Sequence, residues 1–403
     1  MMARKAEPSI SELAALIVKS SLGEAIAYNE MEGRICVVGK LPWEEESEFR
    51  LKPWGSVEDS FGYSFVQEEF GCQTEKDFQH ALKIAASKNR YNPVRQMLEN
   101  LPEWDGVARL GLMLRWYLGA PEDEYTRQVE LLLFRAAIAR TYCPGIKFDH
   151  MVVLKGAQGI GKSSFCRTLA LNPDFFTDCI TGFGKKEAAE LVQGKWIVEV
   201  SELAAMRNSQ IETIKAFITR QSDDYRAPYA RHAESRPRRF VMVGSTNATA
   251  FLSDVTGNRR FLPIECGRHE PCLSLHGGDA EAVFSQAWAE AMVYMEVDGL
   301  RSPEPLVLPS HIVSQAKELQ SASTVEDPRI GLIGDYLDGK ETGDLVCTIE
   351  VIENALGIER AVQKQGYQMQ VAELIRANFP EWTTAGIMQT AAYGRQRCFE
   401  KRH

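Results

Sequence analysis

Three features of the 403-residue chain predict an α/β fold built on a parallel β-sheet. From His150 onward, short apolar runs alternate with amphipathic stretches, as strands do when helices cover both sheet faces. The segment GAQGIGKSS, beginning at Gly156, joins one such run, HMVVLKG, to a helix opened by KSSFCRTLA. Two further apolar runs, GKWIVEVSEL and RRFVMVGSTN, are separated by the amphipathic stretch SQIETIKAFITRQ, and the second ends on polar residues.

The elements follow in order. Residues 1–100 predict a mixed α/β region. There RICVVGKLPW is a strand closed by a Gly/Pro turn, and Thr74 caps a helix in TEKDFQHALKIAASKN. NPVRQMLENLPEWDGVARL is a joint between modules. Residues 101–147 are helical, with Leu, Ile and Val recurring three or four apart in LGLMLRWYLG and RQVELLLFRAAIAR. The sheet-forming module is expected over 148–312 and ends in the helical EAVFSQAWAEAMVYME and the joint SPEPLVLPS. Residues 313–403 predict a small, mainly helical unit followed by a basic tail, YGRQRCFEKRH. A winged helix or helix-turn-helix fits it, suited to duplex DNA or to a protein partner.

A net charge of −9 argues against a dedicated nucleic-acid coat protein, although a local basic strip can still meet phosphates. Nine dispersed cysteines without a CxxC pair or a signal peptide imply reduced thiols in a cytoplasmic protein. No uncharged apolar run is long enough to span a bilayer, so no membrane partner is expected.

Gly156, Gly161, Lys162 and Ser163 satisfy G-x-x-x-x-G-K-[ST] between a strand and a helix. Small residues let backbone N–H groups close on phosphates, and the helix start adds a positive dipole end. ATP is therefore expected against Gly156, Ala157, Gly159, Ile160, Gly161, Lys162, Ser163 and Ser164, with Lys162 reaching the outer phosphates. Mg²⁺ is expected on the Ser163 hydroxyl. Hydrolysis also needs acids, and WIVEVSEL supplies Glu199 and Glu202. Charge behind an apolar run is costly unless it meets a metal, a cation or solvent. Glu202 is favoured as the base that polarises water and Glu199 as the acid on the metal side. Asn247, ending the third strand, can sense the γ-phosphate. Arg259 and Arg260 follow in TGNRRF, and either can complete a neighbouring subunit's site.

KFDHMVVLKGAQGIGKSS, GKWIVEVSEL, IKAFITRQSDDYRAPYARH, RRFVMVGSTN and DVTGNRRFLPI, in that order, resemble the virulence-associated protein E family of phages and mobile elements. That family resembles the superfamily 3 helicases, ring-forming ATPases of the AAA+ type. The resemblance implies ATP hydrolysis at subunit interfaces of a homo-oligomeric, hexameric or similar ring. It also implies movement on DNA during replication, with a hairpin ahead of the third strand facing the central channel. Arg226, Arg231, His232, Arg236, Arg238 and Arg239 crowd that segment among tyrosines, a mixture suited to single-stranded DNA. The alternative is an AAA+ ATPase that loads or remodels another replication protein without translocating.

Overall fold

A computed structural model describes residues 8–44, 51–203, 206, 208–225, 234–252, 257–299, 305–324 and 327–402. The described residues up to 249 and from 259 to 319 form one compact unit, and 250–258 with 320–402 form another.

The first unit is organised by five strands: β1 (Met151–Lys155), β2 (Phe176–Thr177), β3 (Ile197–Val200), β4 (Val241–Thr246) and β5 (Phe261–Glu265). They lie in the order β5-β1-β4-β3-β2, all parallel. Every residue of β1, β3 and β4 is buried, which is why these strands read as unbroken apolar runs rather than alternating ones. The short β2 and the FLPIE strand β5 add the parts that the three apolar runs did not announce. Helix Glu124–Tyr142 is capped by the Asp123 side chain, which accepts from Thr126 N, and it is buried along most of its length. Its Phe134 packs on Trp288 at 4.3 Å between ring centroids, and Trp288 packs on Trp196 at 4.5 Å. The two indole N–H groups donate to Ala137 O (3.1 Å) and Leu169 O (2.9 Å), so these large buried rings leave no polar atom unpaired.

Two buried glutamates fasten the joint ahead of that helix. Glu130 accepts from the backbone N–H groups of Gly111, Met113 and Leu114 at 2.7, 3.2 and 2.9 Å. Glu290 accepts from those of Arg109 and Leu110 at 2.7 and 3.0 Å. Burial pushes the Glu130 carboxyl up to about 7 despite these donors.

Within the same unit, residues 26–29, 34–37, 52–53 and 90–91 form a four-stranded sheet packed with helices Ile10–Val18, Ser56–Phe70 and Glu75–Lys88. Thr74 caps the last of these, accepting from Asp77 N.

The second unit holds helices Arg329–Asp338, Thr348–Asn354 and Gln365–Asn378 and a three-stranded antiparallel sheet. Strand Gly394–Lys401 is central, between Leu345–Cys347 and Trp382–Thr390. The basic tail expected to follow the helices is instead the central strand of this sheet. Buried Cys398 and Phe399 root the tail as a strand, and its arginines project beyond that root. Among the described residues, no helix is long and apolar enough to cross a membrane.

Candidate functional site

The carboxyl end of β1 runs into a loop that only glycine permits at two points. A Cβ on Gly156 would lie 2.7 Å from Cys266 O, and Gly161 has φ +96°, in the left-handed region. Helix Lys162–Leu169 starts directly after Gly161. A cavity of about 680 Å³ opens over this loop, lined by Gln158, Gly159, Gly161, Lys162, Ser163 and Ser164 on one side. Ser201, Glu202, Ser245, Thr246, Asn247, Ala248 and His276 complete it. Parallel order brings these groups together, since β1, β3 and β4 all end there. Gly156, Ala157 and Ile160 belong to the same loop, where Ile160 packs against the main core.

Lys162 is buried, and its Nζ donates to Gly156 O (2.7 Å), Ala157 O (2.8 Å) and Asn247 Oδ1 (2.9 Å). These contacts use all three donors of the ammonium. Burial lowers the Lys162 pKa, partly offset by the nearby Glu199 carboxylate. Asn247 thus bridges the end of β4 to the loop lysine.

Glu199 lies in β3, fully buried beside Val243 of β4. Its Oε1 accepts from Ser163 Oγ (2.7 Å) and Ser245 Oγ (2.6 Å). Its Oε2 is buried without a hydrogen-bond partner. An unsatisfied buried carboxylate oxygen costs about 1–3 kcal/mol or more, so this atom is poised for a further ligand. Ser163 Oγ, Ser245 Oγ and the two Glu199 oxygens form a hard, all-oxygen set of the kind Mg²⁺ takes together with water and phosphate. Among the described residues, no group of three or more His, Cys, Asp or Glu side chains could hold a metal by itself. Glu202 is exposed, lines the cavity and has φ +54°, a strained backbone for a non-glycine residue. Ser245 and His276 were not singled out by sequence reasoning. Ser245 had a signal in the polar end of RRFVMVGSTN, and His276 in the HGG turn.

Arg259 and Arg260 are not brought to this cavity. They precede β5, whose Phe261 pairs with Met151 at the start of β1. The loop begins at the other end of β1, four residues on, roughly 13 Å along the strand. Arg259 is exposed, and its carbonyl contacts His150 Nδ1 at 3.1 Å. Both arginines line a separate cavity with Lys147, Asp149 and His150.

An antiparallel hairpin, Ser222–Tyr225 with Glu234–Pro237, does precede β4. Arg226, Arg231 and His232 lie outside the described residues. The other three cations of the strip require correction as DNA contacts. Arg238 is buried and bidentate to Asp223, both bonds 2.7 Å, with a further donation to Phe217 O. Its guanidinium stacks 4.0 Å from the Phe217 ring centroid. Arg236 donates to Glu32 O (2.9 Å) and Gln193 Oε1 (3.0 Å), tying the hairpin to the N-terminal sheet. Gly33, at φ +67°, leaves the room that this guanidinium fills. Arg239 is mostly buried and pairs with Glu30 at 3.4 Å. All three brace the fold.

Fold and cavity define the class: an α/β protein with a five-stranded parallel sheet whose strand ends gather a lysine, two hydroxyls, an amide and a carboxylate. The sequence matches the virulence-associated protein E-like domain over residues 98–325, more than half of the chain. The chain belongs to that family. Among solved structures, the apo structure of the NrS-1 C-terminal region aligns with a TM-score of 0.50 at 12% identity, covering 99% of this chain and 100% of that one. The A form of the apo NrS-1 C-terminal region aligns with the same score at 13% identity, covering 98% and 99%. At such identities the likeness concerns the fold. No curated protein matches the sequence.

Proposed function

We propose that the chain is a P-loop ATPase of the AAA+ type that works as a DNA helicase or translocase in the replication of a phage or mobile element. The observation that carries this reading is the contact set Lys162–Asn247 and Ser163–Glu199–Ser245 at the mouth of one cavity. It joins the loop to two neighbouring strand ends, so a change at a bound phosphate can reach the sheet.

The residues divide the work. Lys162 exchanges its loop carbonyls for phosphate oxygens, and Asn247 reports that exchange to β4. Ser163 and Glu199 fit a Mg²⁺, which supplies charge neutralisation across the outer phosphates. Glu199 Oε2 is the oxygen left over that would ligate that metal or accept a hydrogen bond from its water. Glu202, exposed in the cavity, orients the attacking water and accepts its proton. Arg259 and Arg260 lie at the far end of β1 from their own loop, which suits service to an adjacent subunit in a ring. Arg226, Arg231 and His232, which fall between Tyr225 and Glu234 in the sequence, are the proposed single-strand contacts.

ATP turnover with and without single-stranded DNA tests the reading. Lys162→Ala should abolish turnover. Mixing Lys162→Ala with Arg259→Ala or Arg260→Ala subunits should restore part of it, and no recovery at any ratio contradicts a shared site. The braced positions of Arg236, Arg238 and Arg239 favour a second reading, a loader or remodeller, because they subtract three cations from the strip. DNA stimulation that disappears in an Arg226→Ala/Arg231→Ala/His232→Ala variant selects the translocase. Turnover indifferent to DNA selects the loader.

A further inference from the structure

The second unit has a use that the ATPase reading does not need. Its order is helix Arg329–Asp338, strand Leu345–Cys347, helix Thr348–Asn354, helix Gln365–Asn378, then the hairpin Trp382–Thr390/Gly394–Lys401. This is the connectivity of a winged helix, with the third helix and the hairpin as its two reading elements.

Asp335, Asp338, Glu341 and Asp344 are exposed on the first helix and the turn after it. On the third helix, Gln365, Met369, Glu373 and Arg376 recur along one exposed stripe, the spacing of a single helix face. Arg376 sits over the Phe399 ring at 5.6 Å, which fixes that stripe beside the central strand of the sheet. Side chains alternate along a strand, so Arg397 and Arg395 share the face of Phe399. Both are exposed, and their cross-strand neighbours are Ile387 and Gln389. Among the described residues, no carboxylate pairs with Lys364, Arg376, Arg395 or Arg397. The nearby Arg329, Lys340 and Arg402, by contrast, have partners in Asp327, Glu350 and Glu400. An acidic chain thus keeps uncompensated arginines on one face of its smallest unit.

We infer that this face binds duplex DNA: helix Gln365–Asn378 enters the major groove, and Arg395 and Arg397 on the hairpin hold the flanking phosphates. Gln365 has the amide that pairs with adenine edges, Met369 (62% exposed) offers an apolar contact for a thymine methyl, and Glu373 can accept from cytosine N4. The arginines position the helix and the stripe reads the sequence, two separable contributions. The same unpaired cations weigh against a protein surface as the first occupant, although Val362, Met369 and Ile387 are exposed.

The test uses the full chain without nucleotide, a fluorescein-labelled duplex of mixed sequence about three helical turns long, and fluorescence anisotropy across a salt series. Removing two phosphate contacts in Arg395→Ala/Arg397→Ala should make the slope of log K against log salt shallower by about 1.8 and weaken binding most at low salt. Binding to a single strand of the same length should not change. Arg395→Lys/Arg397→Lys keeps both charges and should keep the wild-type slope, which separates lost charge from a disturbed hairpin. Gln365→Ala/Met369→Ala should leave the slope intact and reduce discrimination between duplexes of different sequence. Failure of the wild type to bind duplex, or wild-type affinity and slope in the alanine pair, overturns the inference. So does a lysine pair that loses the slope as the alanine pair does. A face built for a protein partner would give the second result.

Discussion

Two arginine clusters in this chain look alike in sequence and end in opposite environments. RPRR, at Arg236–Arg239, is folded inward: Arg238 meets Asp223 and two phenylalanine rings, Arg236 meets backbone of the N-terminal sheet, and Arg239 meets Glu30. GRQR, at Gly394–Arg397, projects along an exposed hairpin with no carboxylate in range among the described residues. A guanidinium tolerates burial when a planar carboxylate and an aromatic face both await it. Where neither is present, it stays in water and is available to a phosphate. Local basicity therefore marks a nucleic-acid surface only after its internal partners have been subtracted.

The contrast can be broken most sharply at Arg238. Arg238→Ala takes from Asp223, itself buried, its bidentate partner and leaves it only the longer contact to Arg220 at 3.9 Å, and should cost about 3–5 kcal/mol in urea unfolding. A loss below 1 kcal/mol would mean the pair is not the brace described here.

Glu130 extends the contrast to a buried carboxyl whose partners are backbone N–H groups. Its folded pKa, about 7, lies above the ordinary 4.5 because of burial. A raised carboxyl pKa contributes stability fully below about 4.5, and that contribution is lost as pH rises through about 7. The wild type should therefore lose stability relative to Glu130→Gln between those values. The variant, with one acceptor fewer, should be about 1–3 kcal/mol less stable at the acid end. Unfolding curves at several pH values check both.

The smallest expected effect is on the hairpin. Arg395→Ala/Arg397→Ala should change stability by no more than about 0.5 kcal/mol, since exposed side chains without partners contribute little to the fold. A larger loss would place these arginines in the same structural role as Arg238.

The same distinction governs how much could be read from sequence. The loop over Gly156–Ser164 was legible because its determinants are local: an apolar strand, two glycines that the backbone geometry requires, and a helix start. The three apolar strands, the Thr74 cap and the long helices were legible for the same reason. The brace on Arg238 was not. Asp223 faces it across a hairpin, a pairing that appears only when Asp223 comes into register with Arg236, one residue before Pro237. The strand at Gly394–Lys401 was hidden because only its root is buried, so its polar half reads as a tail. His276 reaches the cavity from a turn far along the chain, which no spacing rule connects to Gly161.

Under the proposed function, the cavity over Gly156–Ser164 hydrolyses ATP and DNA governs the rate. Steady-state ATP turnover of the wild type and of Lys162→Ala, with and without single-stranded DNA across a salt series, tests it most directly. The wild type should turn over ATP and be stimulated by DNA to a degree that fades as salt rises, and the variant should show no turnover. Turnover that survives in Lys162→Ala, or a wild type that hydrolyses nothing under any of these conditions, would contradict the proposed function.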